Sequence, residues 1–129
     1  MPLAAKLNVV VVDDQLSIRG LVRTGLNGIG ISDVREYGSA TDALASVRTL
    51  PPNIIISDFN MPEMDGLEFL RALRADEKFK NTAFILLTGR ADKDLVQRAV
   101  QFGANNYLVK PFTVAILKQK IEQVVGALT

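Results

Sequence analysis

Residues 8–17 read NVVVVDDQLS. A run of valines bounded by polar residues is apolar on both sides, as expected of a strand buried on both faces of a sheet. It stops at two adjacent aspartates, whose carboxylates repel each other and have no cation nearby in sequence. Either they lie in a wet loop or a positive group belongs between them. NIIISD (53–58) and AFILLT (83–88) share the same uninterrupted apolar character. DVREY (33–37) alternates with charges and NNYLVK (105–110) is short, so both suit sheet edges.

Strands are predicted at 9–13, 34–37, 54–58, 83–88 and 107–110, with helical repeats between them. Ile18, Leu21, Val22, Leu26 and Ile29 fall on one helical face. So do Leu67, Leu70 and Leu73, and so do Val114, Leu117, Ile121, Val125 and Leu128. Gly30, Gly103 and Gly126 stand where helices stop. This alternation predicts an α/β fold, a doubly wound five-stranded parallel sheet in the flavodoxin-like order 2-1-3-4-5, with helices on both faces. Such sheets bind ligands at the carboxyl ends of the strands beside the reversal of strand order, here strands one and three. Those ends carry Asp13, Asp14 and Asp58.

The chain of 129 residues fits one domain, 1–129, with an ordered core over about 7–128 and no output domain. It has no cysteine and no histidine, which excludes thiolate and imidazole metal sites and the commonest general base. Lys and Arg total 15 against 14 Asp and Glu, so no net field favours nucleic acid or membrane. MPLAAKLN lacks the apolar core of a signal peptide and no apolar run reaches membrane-spanning length, so a cytoplasmic protein is expected.

Any one of these aspartates would ordinarily start a turn or cap a helix, and Asp14 with Ser17 nearby could do so. Three at adjacent strand ends call for a cation, and oxygen ligands without His or Cys select Mg2+ or Ca2+. A few carboxylates plus water fit Mg2+, and no calcium-binding loop is present. Strand four ends in Thr88 and strand five in Lys110. A hydroxyl and an ammonium beside such a cluster suit a phosphoryl group, which a carboxylate can accept as nucleophile.

VVVVDD, IIISDFNMPEMDG, ILLTGR and YLVKPF together resemble, in order and spacing, the signature blocks of response-regulator receiver domains, particularly the single-domain chemotaxis members. The resemblance implies that Asp58 is the phospho-acceptor and that Asp13 and Asp14 bind Mg2+, with the Asn60 backbone carbonyl as a further ligand. It implies that Thr88 and Lys110 engage the phosphate and that the Lys110-Pro111 peptide is cis. Tyr107 resembles the aromatic switch that turns inward as Thr88 moves. Without that resemblance Tyr107 reads as a half-buried edge aromatic. Gly89 stands where alanine is common and Arg90 where an acid is found, so phosphate lifetime is expected to differ; Phe59 stands where tryptophan is found, so no tryptophan fluorescence can report phosphorylation.

The implied role is a phosphorylation-activated chemotaxis switch, a monomer that promotes only its own phosphorylation and dephosphorylation. It takes its phosphoryl group from a CheA-like histidine kinase and binds a target such as the flagellar motor switch protein. A phosphatase or a histidine phosphotransfer protein is a further implied partner. A phosphate sink or phosphorelay step keeps the same chemistry without motor binding. A flavin carrier shares the sheet order, but two carboxylates after strand one would repel its phosphate. A haloacid-dehalogenase-type phosphatase wants an acid two residues past its nucleophile, where Gln15 follows Asp13.

Overall fold

Four valines can lose all contact with water only if both faces of their strand are covered, and the fold does this. A computed structural model describes residues 3–89 and 92–129. Five strands, β1 Asn8–Val12, β2 Asp33–Tyr37, β3 Ile54–Asp58, β4 Ala83–Thr88 and β5 Asn106–Val109, alternate with α1 Leu16–Ile29, α2 Ala40–Thr49, α3 Gly66–Arg74, α4 Lys93–Gln101 and α5 Val114–Val125. All strand pairs are parallel, in the order β2-β1-β3-β4-β5. The predicted topology and edge strands are therefore observed.

The period-two geometry of strands divides the core into two layers. Val9, Val11, Ile54, Ile56, Ile85 and Leu87 pack with Val22 and Leu26 of α1 and Leu117 and Ile121 of α5. Val10, Val12, Ile55, Phe84 and Leu86 face α2, α3 and α4, through Val47, Leu70, Leu73, Leu95 and Ala99 among others. The Phe69 and Phe84 rings meet edge to face at 5.9 Å.

Helix starts follow local side-chain chemistry. Ser39, Asp92 and Thr113 accept from backbone N–H groups in the first turns of α2, α4 and α5, and Asp65 forms a reciprocal capping box with Glu68 at α3. The first helix differs: it opens at Gln15 with no side-chain cap, so Asp14 is not a capping residue. At the other end, Gly30, Gly103 and Gly126 follow α1, α4 and α5 with φ of 101°, 103° and 92°.

Three apolar residues depart from the predicted helical faces. Leu21 is 60% exposed because the buried stripe of α1 runs through its neighbour Val22. Val114 stays half-exposed at the start of α5 and joins Leu21, Ile18 and Phe112 along a cleft of about 400 Å3. Leu128 lies beyond α5, which ends before Gly126, yet it still packs against the core. The strands ending at Asp13 and Lys110 in the sequence reading stop one residue earlier, at Val12 and Val109, which puts both side chains at the start of loops.

One glycine holds the β3–α3 connection against the sheet. A Cβ on Gly66 would sit 2.4 Å from the Asp58 carbonyl oxygen and 3.0 Å from the Phe59 Cα. These are backbone atoms that no rotamer change can move. A Cβ on Gly20, inside α1, would meet nothing within 4 Å. We predict opposite signs for the same substitution. Gly66→Ala lowers the free energy of unfolding by about 1–3 kcal/mol through overpacking, whereas Gly20→Ala raises it by roughly 0.5–1 kcal/mol through helix propensity. Urea denaturation of both variants checks this, and equal effects would refute the close approach at Gly66.

Candidate functional site

The carboxyl ends of β1 and β3 lie side by side, and the register of their pairing determines which side chains meet. Val11 pairs with Ile56 and Val12 with Ser57, so the next step brings Asp13 abreast of Asp58. Asp14 follows in the loop. One carboxylate oxygen from each of Asp13, Asp14 and Asp58 lies within 4.8 Å of the others. Asp13 is fully buried, Asp58 nearly so, and Asp14 exposed.

Lys110 reaches this cluster from the end of β5. Its ammonium donates to Asp58 Oδ1 at 3.2 Å and stands 3.6 Å from Asp13 Oδ2. Asp58 Oδ1 also accepts the Phe59 N–H at 2.9 Å, and Asp13 Oδ1 accepts the Gln15 N–H at 2.9 Å. The second contact is the local turn bond that an isolated aspartate would make. It accounts for only one oxygen of the three-acid group. Asp13 Oδ2 is buried and makes no hydrogen bond among the described residues, since 3.6 Å is an ion-pair distance only.

With all three carboxylates ionised, the one ammonium that reaches them among the described residues leaves two negative charges uncompensated. Burial pushes the Asp13 carboxyl above its ordinary value, and the Asp58 and Asp14 charges act in the same direction against the Gln15 N–H and Lys110. Burial raises Asp58 as well, with Lys110 the main opposing influence. The excess charge, the all-oxygen donor set and the orphaned Asp13 Oδ2 fit one hard divalent cation.

The remaining predicted residues lie on β4, on β5 and its following loop, and in the β3–α3 loop. Thr88 ends β4, is buried, and lies one residue beyond Leu87, the partner of Asp58 in the ladder. Its carbonyl accepts the Lys110 N–H at 2.7 Å, which fixes the backbone from which the Lys110 side chain departs. The Lys110-Pro111 peptide is cis. Asn60 lies exposed in the β3–α3 loop, lining a cleft of about 510 Å3 with Phe59, Thr88, Gly89 and Arg98. Tyr107 is half-buried on edge strand β5 with the Lys120 ammonium 4.2 Å from its ring centroid. The expectation about Arg90 falls outside the described residues.

Sequence reasoning missed Gly66, Arg19 and Lys120. Gly66 had a legible signal, a glycine directly after the helix-capping Asp65. The other two act through contacts with neighbouring elements, Arg19 with Asp13 and Glu36 and Lys120 with Tyr107, at separations that no helical or strand period reports.

Comparison with known proteins gives the family. The family described as "Response regulator receiver domain" matches residues 9–122. The chain is 44% identical to "Probable chemotaxis protein CheY" of Rhizobium etli, over 99% of both chains. It is 36% identical to "Chemotaxis protein CheY" of Pseudomonas aeruginosa, covering 92% of this chain and 95% of that one. The crystal structure of Vibrio cholerae chemotaxis protein CheY4 superposes with a TM-score of 0.85 at 35% identity, covering 92% of this chain and 98% of that one. Among the described residues no helix is long and apolar enough to cross a membrane. Sheet order, acid cluster, lysine and these similarities lead to one conclusion: the chain belongs to the response regulator receiver domain family, the phosphorylation-dependent switch modules of two-component signalling.

Proposed function

We propose that Asp58 accepts a phosphoryl group from the phosphohistidine of a CheA-like kinase. The phosphorylated protein then binds a chemotaxis target such as the flagellar motor switch protein. One observation carries this reading: the Lys110 ammonium sits 3.2 Å from an acid whose cluster has two negative charges too many. An acceptor carboxylate needs positive charge around it before a phosphoryl group can approach.

Asp58 Oδ1 already accepts from Lys110 and from the Phe59 N–H, so Oδ2 is the oxygen that attacks phosphorus. A bond forms between this oxygen and phosphorus, the phosphorus–nitrogen bond breaks, and its electron pair returns to the donor imidazole. The kinase must bring that imidazole, because this chain has no histidine. Asp13, Asp14, Asp58 and the Asn60 carbonyl would hold Mg2+, which when bound would neutralise phosphoryl oxygens. Lys110 then follows the new charge, and the Thr88 hydroxyl donates to a phosphoryl oxygen.

Lys110 and Thr88 are joined backbone to backbone, so their movement is felt by β5. Tyr107, three residues before Lys110, turns inward as Thr88 leaves its resting place. Turning requires leaving the Lys120 ammonium stacked on the Tyr107 ring, a contact of about 0.5–1 kcal/mol at exposed sites. The two arrangements are in equilibrium, and phosphorylation shifts their populations at the surface of α4, β5 and α5.

Incubation with a small phosphodonor tests the acceptor. Wild-type protein should be labelled at Asp58 only when Mg2+ is present, and Asp58→Asn should not be labelled. Equal labelling of the variant would refute the assignment. A pull-down of the motor switch protein with and without phosphate tests the output. Failure to bind in both states would favour the phosphate sink.

Proton binding gives a separate check. Asp13 and Asp58 hold protons more tightly in the folded chain than in the unfolded chain, where the ordinary value is 3.8. The stability this contributes is complete below that value and is lost as pH rises through the raised folded values. Without Mg2+, Asp13→Asn should therefore melt above wild type at neutral pH, with the gain vanishing in acid. With Mg2+ the order should reverse. Thermal denaturation followed by circular dichroism reads both, and a destabilised metal-free variant at neutral pH would contradict the charge accounting.

A further inference from the structure

Side-chain parity along β1 raises a problem that the cluster itself does not solve. Val9 and Val11 face α1 and α5, and Val10 and Val12 face the opposite layer. Continued alternation puts Asp13 on the same side as Asp58, which follows Ile54 and Ile56 at even spacing. It also puts Asp14 on the wrong side. Asp14 nevertheless offers an oxygen within 4.8 Å of the other two. The chain must therefore turn at the Asp13–Asp14 peptide, and that peptide must be held at a particular rotation.

We infer that Arg19 is the positioning residue that holds this peptide and so sets the geometry of the cation site. Its Nη1 donates to the Asp13 carbonyl oxygen at 2.6 Å. Its Nε stands 3.4 Å from Glu36 Oε1 on β2. Glu36 is in turn bonded by Arg23, which also donates to the Val34 carbonyl at 2.9 Å. Arg19 thus spans from the metal-site turn to a fixed point on the edge strand. Both side chains are well covered, 17% exposed for Arg19 and 22% for Glu36. A Cβ on Gly38 would come 3.3 Å from Arg19 Nη1, so the β2–α2 junction leaves the guanidinium its space.

Two features make the role geometric rather than a matter of charge. The guanidinium contacts the carbonyl of Asp13 and not its carboxylate, and its Nε faces Glu36, a carboxylate that it shares with Arg23. A planar guanidinium can satisfy a carbonyl and a carboxylate along two fixed directions at once, which an ammonium on a flexible stem cannot. Partners behind the direct ligands of a metal typically change its affinity about 10–100-fold.

This inference rests on the proposed Mg2+ site, and calorimetric titration with Mg2+ separates the two. Wild type should bind, Asp14→Asn should bind weakly, and Arg19→Ala should lose about tenfold in affinity. Arg19→Lys keeps the charge and should recover only part of the loss. Should Arg19→Ala fold poorly, Arg19→Lys carries the test alone. In the metal-free protein, amide hydrogen exchange at Asp14 and Gln15 should speed up in the Arg19 variants, with that at Phe59 unchanged. No Mg2+ binding by wild type, or full binding by Asp14→Asn, would overturn the site and this inference with it. Tight binding by wild type and folded Arg19 variants alike would overturn the inference alone.

Discussion

Two uncompensated negative charges at the end of a buried sheet are the constraint on which this molecule is organised. Asp13, Asp14 and Asp58 stand together and Lys110 balances only one of them. Buried carboxylates without full compensation are costly, and both buried acids have raised proton affinity as a result. A protein selected for stability alone would not retain them. The cost is tolerable because the rest of the sheet is so thoroughly covered: every residue of β3 and β4 is buried, and two apolar layers flank them. Local conflict set in a consistent surrounding is what a site of chemistry looks like.

The parallel sheet does more than provide burial. Because β1, β3, β4 and β5 all point the same way, their last side chains accumulate at one rim. Acids come from the central pair, the hydroxyl from β4, and the ammonium from the far edge. A ligand at that rim would face residues from the ends of four strands. Closely spaced backbone supports the arrangement from beneath, since Gly66 lets the β3–α3 connection lie directly on the Asp58 carbonyl.

Much of this was legible in the sequence, for reasons that differ by residue. The uninterrupted apolar runs of β1, β3 and β4 admit only burial on both faces, and charge alternation marks β2 as an edge. Strand order then placed Asp13, Asp58, Thr88 and Lys110 at one rim by topology alone. What escaped depends on rotation and distance. Leu21 and Val22 are equally apolar, and only the position of α5 decides that Val22 is buried and Leu21 is not. Asp14 by its residue type could equally have capped α1, and only its company with Asp13 and Asp58 pointed to the cluster; Gln15 occupies the cap position. Arg19 and Glu36 are 17 positions apart, and their pairing exists only because α1 crosses β2.

Lys110 joins the acid cluster to β4 and β5. Its side chain answers to Asp58 and Asp13, its N–H to the Thr88 carbonyl, and its chain neighbours run back through β5 to Tyr107. Any change of charge at Asp58 therefore acts on a residue tied to both β4 and β5. The edge position of β5 matters here. A central strand, held by ladders on both sides and covered on both faces, could not shift without disturbing the core. The last strand has a ladder on one side only, and three of its four residues are partly exposed. The proposed switch thus lies where the sheet has a ladder on one side only, while Asp13 and Asp58 lie at the ends of fully flanked strands.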